Sequence, residues 1–372
     1  MKRQPILVLV IILLIGVFLP CKADLFNDGG VHNITSGSYS VITVDNPPPT
    51  APAFTTVNYG GTAYTELLES YSNSQVTVNG GWIDDFFYAY DNSQVTLLNN
   101  GVVNFFLGYD NSQVTVNGGD SLGINAYDNS QVSLLNNARI MGLLPYGNSN
   151  VTIDGAYVDL LLPHDNSQVT INSGSISKGV TTSGNSQITM NGGTIGTYLQ
   201  VIDNAQATVN SGYMETLSVS GHGQAIFNDT IAIIERVTAH QHGQITVNDG
   251  LFADLTSSQY GQITVKGGDI NGIITDFGVT GNSLITIYGS NFNVYGDYAL
   301  SNLLFSGYGI LDSTYNGCYL TGTLLNGDYL NRNVLYIQDF GQIHLTPVPS
   351  AVILGSLGLT FSGWMLKRKR ML

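Results

Sequence analysis

The chain has 372 residues and a formal net charge of −14, yet only 10% of its residues are charged, against about 25% in an average soluble protein. Seven of its 12 cations stand at the two ends, so residues 24–346 set only Arg139, Lys178, Arg236, Lys266 and Arg332 against all 26 acids. That balance excludes nucleic-acid binding, which needs clustered cations facing phosphate, and it disfavours an acidic polymer as partner unless a bridging cation intervenes.

At the N-terminus, Lys2 and Arg3 precede an apolar run from Ile6 to Leu19, followed by Pro20, Cys21, Lys22 and Ala23. A short positive start, an apolar stretch and a small residue predict a secretory signal peptide over residues 1–23, cleaved between Ala23 and Asp24. The run is too short for a span of about 20 apolar residues. Removal of Cys21 would leave Cys318 as the single cysteine, so no internal disulfide is expected.

Residues 24–70 hold one strand-like stretch, Tyr39 to Val44, then a proline-rich excursion at Pro47, Pro48, Pro49 and Pro52. They read as an N-terminal cap with a loop.

From residue 71 to 300 the sequence repeats. Asn-Ser-Gln-Val-Thr recurs with small variations, aligned on Gln75, Gln94, Gln113, Gln131, Asn150, Gln168, Gln187, Gln206, Gln224, Gln244, Gln262 and Leu284. These twelve positions are 18 to 22 residues apart and average 19. A fixed period of this size is the mark of a solenoid. Each Gln opens an alternation such as Val76-Thr77-Val78 or Ile188-Thr189-Met190, a half-buried strand. Asn-Gly-Gly sequences at Asn79, Asn117 and Asn191 read as turns, and a second apolar run follows at Ile83 or Ile195. Nothing has a helical period. The expected fold is all-β, a single-stranded parallel β-helix of about twelve 19-residue coils. Stacking superposes identical residues, so uncharged Asn, Ser, Gln and Thr ladders avoid the repulsion that charged ladders would suffer.

The turn before each Gln holds the candidate sites. Four places before it stand Tyr71, Tyr90, Tyr109, Tyr127 and Tyr146, then His164. Stacked coils would align these rings in one row, either as a platform for sugar rings or as a stack that stiffens the solenoid. Three places before the Gln stand Asp91, Asp110 and Asp128 on consecutive coils, then Asp165 and Asp203. Stacked carboxylates could ligate Ca²⁺; alternatively, each Asp bonds its own turn. No other cofactor is implied. The next position, Asn73 to Asn204 through eight coils, suits a left-handed conformation.

Other constellations are weaker. His222 and His242 occupy equivalent positions near His240, without a third convergent metal ligand in the sequence. Gly221-His222-Gly223 matches one polygalacturonase motif, but the other motifs of that family are missing and the triplet recurs as a repeat variant. Asp84-Asp85 could be paired carboxylates for glycoside hydrolysis, although strand neighbours are expected to point to opposite faces. The expectation is a chain without catalytic residues.

Residues 301–346 lose the period and end in an echo of the repeat, Gly341-Gln342-Ile343-His344-Leu345, expected to be a C-terminal cap. Residues 347–372 read Pro347-Val348-Pro349-Ser350, an apolar stretch from Ala351 to Leu366, then Lys367-Arg368-Lys369-Arg370. A transmembrane helix with the cations on the cytoplasmic side is expected here. This tripartite tail resembles the PEP-CTERM sorting signal of Gram-negative bacteria, with Val348 in place of the usual Glu. The resemblance implies processing by an exosortase after transient anchoring in the inner membrane, and delivery to the cell surface or an exopolysaccharide matrix. The combined expectation is an exported, non-enzymatic surface or matrix β-helix associated with extracellular polysaccharide. The alternatives are an adhesin that binds carbohydrate through the Tyr row and a β-helix polysaccharide lyase or hydrolase.

Overall fold

The structure is a computed structural model describing residues 22–45, 55–228, 233–268, 276–296 and 302–347. The apolar run Ile6–Leu19, the four prolines of the 46–54 segment, and Val348, Pro349 and Lys367 to Arg370 lie outside those residues. So does the expected transmembrane helix. Among the described residues no helix is long and apolar enough to cross a membrane, and the one helix of any kind is a 3-10 turn at Ser313–Tyr315.

The fold is an all-β parallel β-solenoid of about 13 turns, recurring about every 19 residues. Its residues fall into two compact units, 1–157 and 158–372. The expected register holds strand by strand. In the first unit Gln75 pairs with Gln94, Gln94 with Gln113 and Gln113 with Gln131. In the second, Gln168 pairs with Gln187, and Gln187 with Gln206. The parallel register also reaches beyond the copies counted in the sequence. Thr56 pairs with Gln75 in the first unit, and Gln342 with Leu284 in the second.

Alternation sets the core. Val76, Val95, Val114 and Val132 form one buried row and Val78, Leu97, Val116 and Leu134 a second, each residue at most 2% exposed. Burying one such side chain contributes about 1.5–3 kcal/mol, and only coil-on-coil stacking buries it. The second strand of each coil adds a third row, with Phe87 stacked on Phe106 at 4.6 Å. Space between the rows is tight at the corners: a Cβ on Gly119 would come within 2.5 Å of Leu97 Cγ.

Two local expectations are corrected. Asn79-Gly80-Gly81 does not end a strand. It lies inside the continuous strand Gln75–Ala89, where positive φ at Gly80 and Gly81 turns the chain and the register to the preceding strand shifts before Trp82. The second correction concerns Asp84 and Asp85. A register shift between Ile83 and Phe86 interrupts the alternation. Ile83 and Phe87 are buried while Asp84, Asp85 and Phe86 all stay outside. Neighbouring carboxylates therefore share the outer surface, contrary to strict strand geometry.

The N-terminal residues join the sheets. Lys22–Phe26 pairs in parallel with Ser38–Val44, and Val31–Ile34 with Thr56–Ser70. The Ala23–Asp24 bond falls inside the first of these strands. At the other end of the chain, antiparallel strands replace the parallel stack. Leu284–Tyr295 pairs antiparallel with Leu303–Ser306 and with Tyr319–Leu324. Gln342–Pro347 has a parallel neighbour on one side and the antiparallel strand Gly309–Leu311 on the other.

Candidate functional site

The turn before each first strand is the same device throughout. The carbonyl of its first residue accepts the N–H of its fourth, as in Ser93 to Tyr90 at 3.1 Å and Ser130 to Tyr127 at 3.0 Å. The second residue is left-handed, with φ of 56° at Asp91, Asp110 and Asp128, 58° at Asp165 and 59° at Asp203. Elsewhere Gly147, Gly184, Gly221 and Gly281 take its place at 63–68°, and Ser72, Gln241 and Gln259 do so at 52–57°. Left-handed geometry was expected at the following Asn and belongs one residue earlier. Positive φ at the second residue alone is the pattern of a type II′ turn, which Gly, Asn and Asp tolerate.

The Asp side chains have a partner that the sequence did not suggest. Asp91 Oδ2 accepts the Ser72 N–H at 2.9 Å, Asp110 Oδ2 the Asp91 N–H at 3.2 Å, and Asp128 Oδ2 the Asp110 N–H at 3.3 Å. Each carboxylate thus holds the backbone of the preceding coil instead of its own turn. Among the described residues no group of three or more His, Cys, Asp or Glu is gathered to hold a metal ion.

The five tyrosines come together as expected. Tyr71, Tyr90, Tyr109, Tyr127 and Tyr146 stack with centroids 4.8, 5.1, 4.8 and 5.2 Å apart and ring planes within 12° of parallel. The faces of the inner three rings are covered by their neighbours, so the ladder presents ring edges outward rather than faces. Burial, the neighbouring Tyr71 and Glu69 push the Tyr90 hydroxyl up to about 12.

The structure extends this row into a wider aromatic surface. Alternation against the buried Phe87 leaves Phe86 facing solvent, where it meets Tyr88 at 5.6 Å and Phe105 at 5.6 Å. Tyr88 in turn contacts Tyr90 at 5.8 Å and Tyr109 at 6.4 Å. Trp82, Phe86 and Phe105 are 50%, 38% and 43% exposed. The signal for this patch was the doublet Phe86-Phe87 and its copy Phe105-Phe106. Alternation sends one ring of each doublet inward and its neighbour outward, so the exposed Phe86 and Phe105 were within reach of the sequence. Carboxylates border the patch. Tyr64 donates to Asp84 Oδ2 at 2.8 Å, and Asp84, Glu66 and Asp85 together hold the Tyr64 hydroxyl at about 12.

The second unit differs at the same turn positions. His164 Nδ1 lies 2.6 Å from Ser183 Oγ, and His240 Nδ1 lies 2.6 Å from Ser258 Oγ. The Asn row continues as His222, His242 and Tyr260, stacked at 5.3 and 5.2 Å. A shallow concavity of about 390 Å³, lined by Glu215, Glu235, Arg236 and Asp254, escaped the sequence reading because its residues come from three separate coils.

No family model, curated protein or solved structure matches the chain.

Proposed function

We propose that this is an exported β-solenoid that acts by binding, holding extracellular polysaccharide at the surface of a Gram-negative bacterium. The ring cluster of Phe86, Tyr88 and Phe105, continuous with the Tyr ladder and accompanied by the exposed Trp82 on the same strand as Phe86, carries the reading. Aromatic side chains present large apolar area with little rotamer entropy to lose, and the apolar faces of pyranose rings complement them. A monomeric surface rarely keeps several large aromatics together without a use. Soluble protein should be retarded in affinity gels containing extracellular polysaccharides, and Phe86→Ala with Phe105→Ala should abolish the retardation. Wild-type mobility unchanged across a broad polysaccharide panel would defeat the reading.

The tail supports the location. Pro347, the last described residue, lies in a strand of the solenoid, and the rest of the Pro-Val-Pro motif follows it directly in sequence. Exosortase processing places the C-terminus of the mature protein near Pro347–Ser350. Mass spectrometry of surface-released protein checks this, and a mature chain ending at Leu372 would refute it.

A further inference from the structure

The electrostatics of the aromatic patch narrow the polymer that it can hold. Residues 24–346 carry five cations and 26 acids, and the patch follows that bias. Glu66, Asp84 and Asp85 gather around Tyr64, whose register partner is the exposed Trp82. Glu69 lies beside Tyr71 and Tyr90. The register shift before Phe86 keeps Asp85 outside together with Asp84, next to the outward Phe86. Exposed rings and carboxylates therefore share one surface. A uronate or sulfated chain would meet repulsion there. A neutral glucan would use the rings and leave the carboxylates idle. An ammonium group uses both: it is attracted to ring faces by their quadrupole and to carboxylates by charge.

We propose that the outer face of the first unit binds an extended amino-sugar polysaccharide bearing free ammonium groups; this rests on the polysaccharide-binding reading above. The sugar rings lie against Trp82, Phe86 and Phe105, and the ammonium groups face Glu66, Asp84 and Asp85. The chain runs along the stacking direction. Successive coils rise by about 4.8 Å, close to the length of one pyranose in an extended chain, so each sugar meets an equivalent coil position. Phe86 and Phe105 stand in register on adjacent coils, and affinity should grow with oligomer length until the sugars over those two coils are in place.

Isothermal titration of the soluble protein with three hexamers, of glucosamine, N-acetylglucosamine and glucose, tests the inference. The glucosamine hexamer should bind at least about tenfold tighter than either neutral hexamer, and its affinity should fall as salt is raised. Glu66→Gln with Asp85→Asn should remove that preference and leave residual binding equal for all three. Trp82→Ala with Phe86→Ala should abolish binding while the carboxylates remain. Equal or tighter binding of the neutral hexamers would overturn the amino-sugar assignment and leave the polysaccharide reading standing. Unchanged glucosamine binding by the Trp82 and Phe86 variant would reduce the effect to bulk charge attraction and also overturn it. Binding of none of the three, together with no retardation by any polysaccharide, would remove the underlying reading as well.

Discussion

A buried serine at the end of a turn finds a hydroxyl partner where the residue four places earlier is Ser or Thr, while Ser283, with Val279 at that place, donates to the carbonyls of Thr280 and Ser257 instead. Ser70 and Ser74 meet at 2.7 Å, and Thr182 and Ser186 at 2.6 Å. Where that earlier residue is Ala89, Gly108, Ala126, Pro145 or Pro163, the hydroxyls of Ser93, Ser112, Ser130, Ser149 and Ser167 are buried without a protein partner. Opposite signs follow for one substitution. Ser74→Ala breaks a buried pair and strands the Ser70 hydroxyl, at a cost of about 1–3 kcal/mol. Ser112→Ala removes an unpaired polar atom and is expected to leave stability unchanged or raised. Urea denaturation of the two variants checks the contrast, and an equal loss in both would contradict it. The repeat already makes this exchange at Ala205, where the earlier residue is Val201. The same reasoning explains the turn's second position. Asp and Gly predominate there because both tolerate positive φ, although Ser72, Gln241 and Gln259 also hold it. The Asp spacing hinted at this preference and the following Asn obscured it.

Ladders govern the next scale. In the second unit Asn172, Asn191, Asn210, Asn228 and Asn248 form a chain of side-chain amide bonds at 2.8–3.0 Å, each donating to the preceding coil. The Tyr ladder is the aromatic counterpart in the first unit. Tyr109 stacks on both neighbours, and each contact contributes about 0.5–1.5 kcal/mol. Tyr109→Ala should therefore cost about 1–3 kcal/mol, whereas Tyr109→Phe keeps the stack and should cost little. Alkali is predicted to act on this ladder. The folded state holds the hydroxyls of Tyr90 and Tyr64 at about 12, against about 10 in the unfolded chain. Below pH 10 both states are neutral and the contribution is complete. Between pH 10 and 12 the unfolded chain ionises first, so stability declines as pH rises. Unfolding midpoints across that window should fall, and Tyr90→Phe should make the fall shallower. These ladders were legible in the sequence because identical residues recur at a fixed spacing. The outward rings Phe86 and Phe105 follow from alternation against their buried neighbours, whereas the outward turn of Asp85 depends on a register shift that no period announces.

Across the whole molecule, the solenoid class was readable from the 19-residue period alone, and its strand register follows from the alternation after each Gln. The way it terminates was less legible. Residues 302–337 carry no repeat, yet they supply the antiparallel strands that pair with Leu284–Tyr295 and with Gln342–Pro347. Parallel strands left without a neighbour are templates for further pairing. A chain truncated after Tyr295 should therefore associate through the uncovered end of its second unit. Size-exclusion chromatography should show higher oligomers for the truncated chain at concentrations where the full chain elutes earlier than none of them.

The in-register pairing of like with like also bears on how such a gene can change. Gln meets Gln on most turns and an apolar residue meets another apolar residue beside it, so a coil meets its neighbour by a surface that most coils share. Duplicating or deleting one whole repeat unit therefore rejoins matching edges and leaves the reading of every other row intact. Recombination between near-identical repeats could lengthen or shorten the protein in single-coil steps while folding is preserved, so natural variants of the gene are expected to differ in coil number before they differ in coil chemistry.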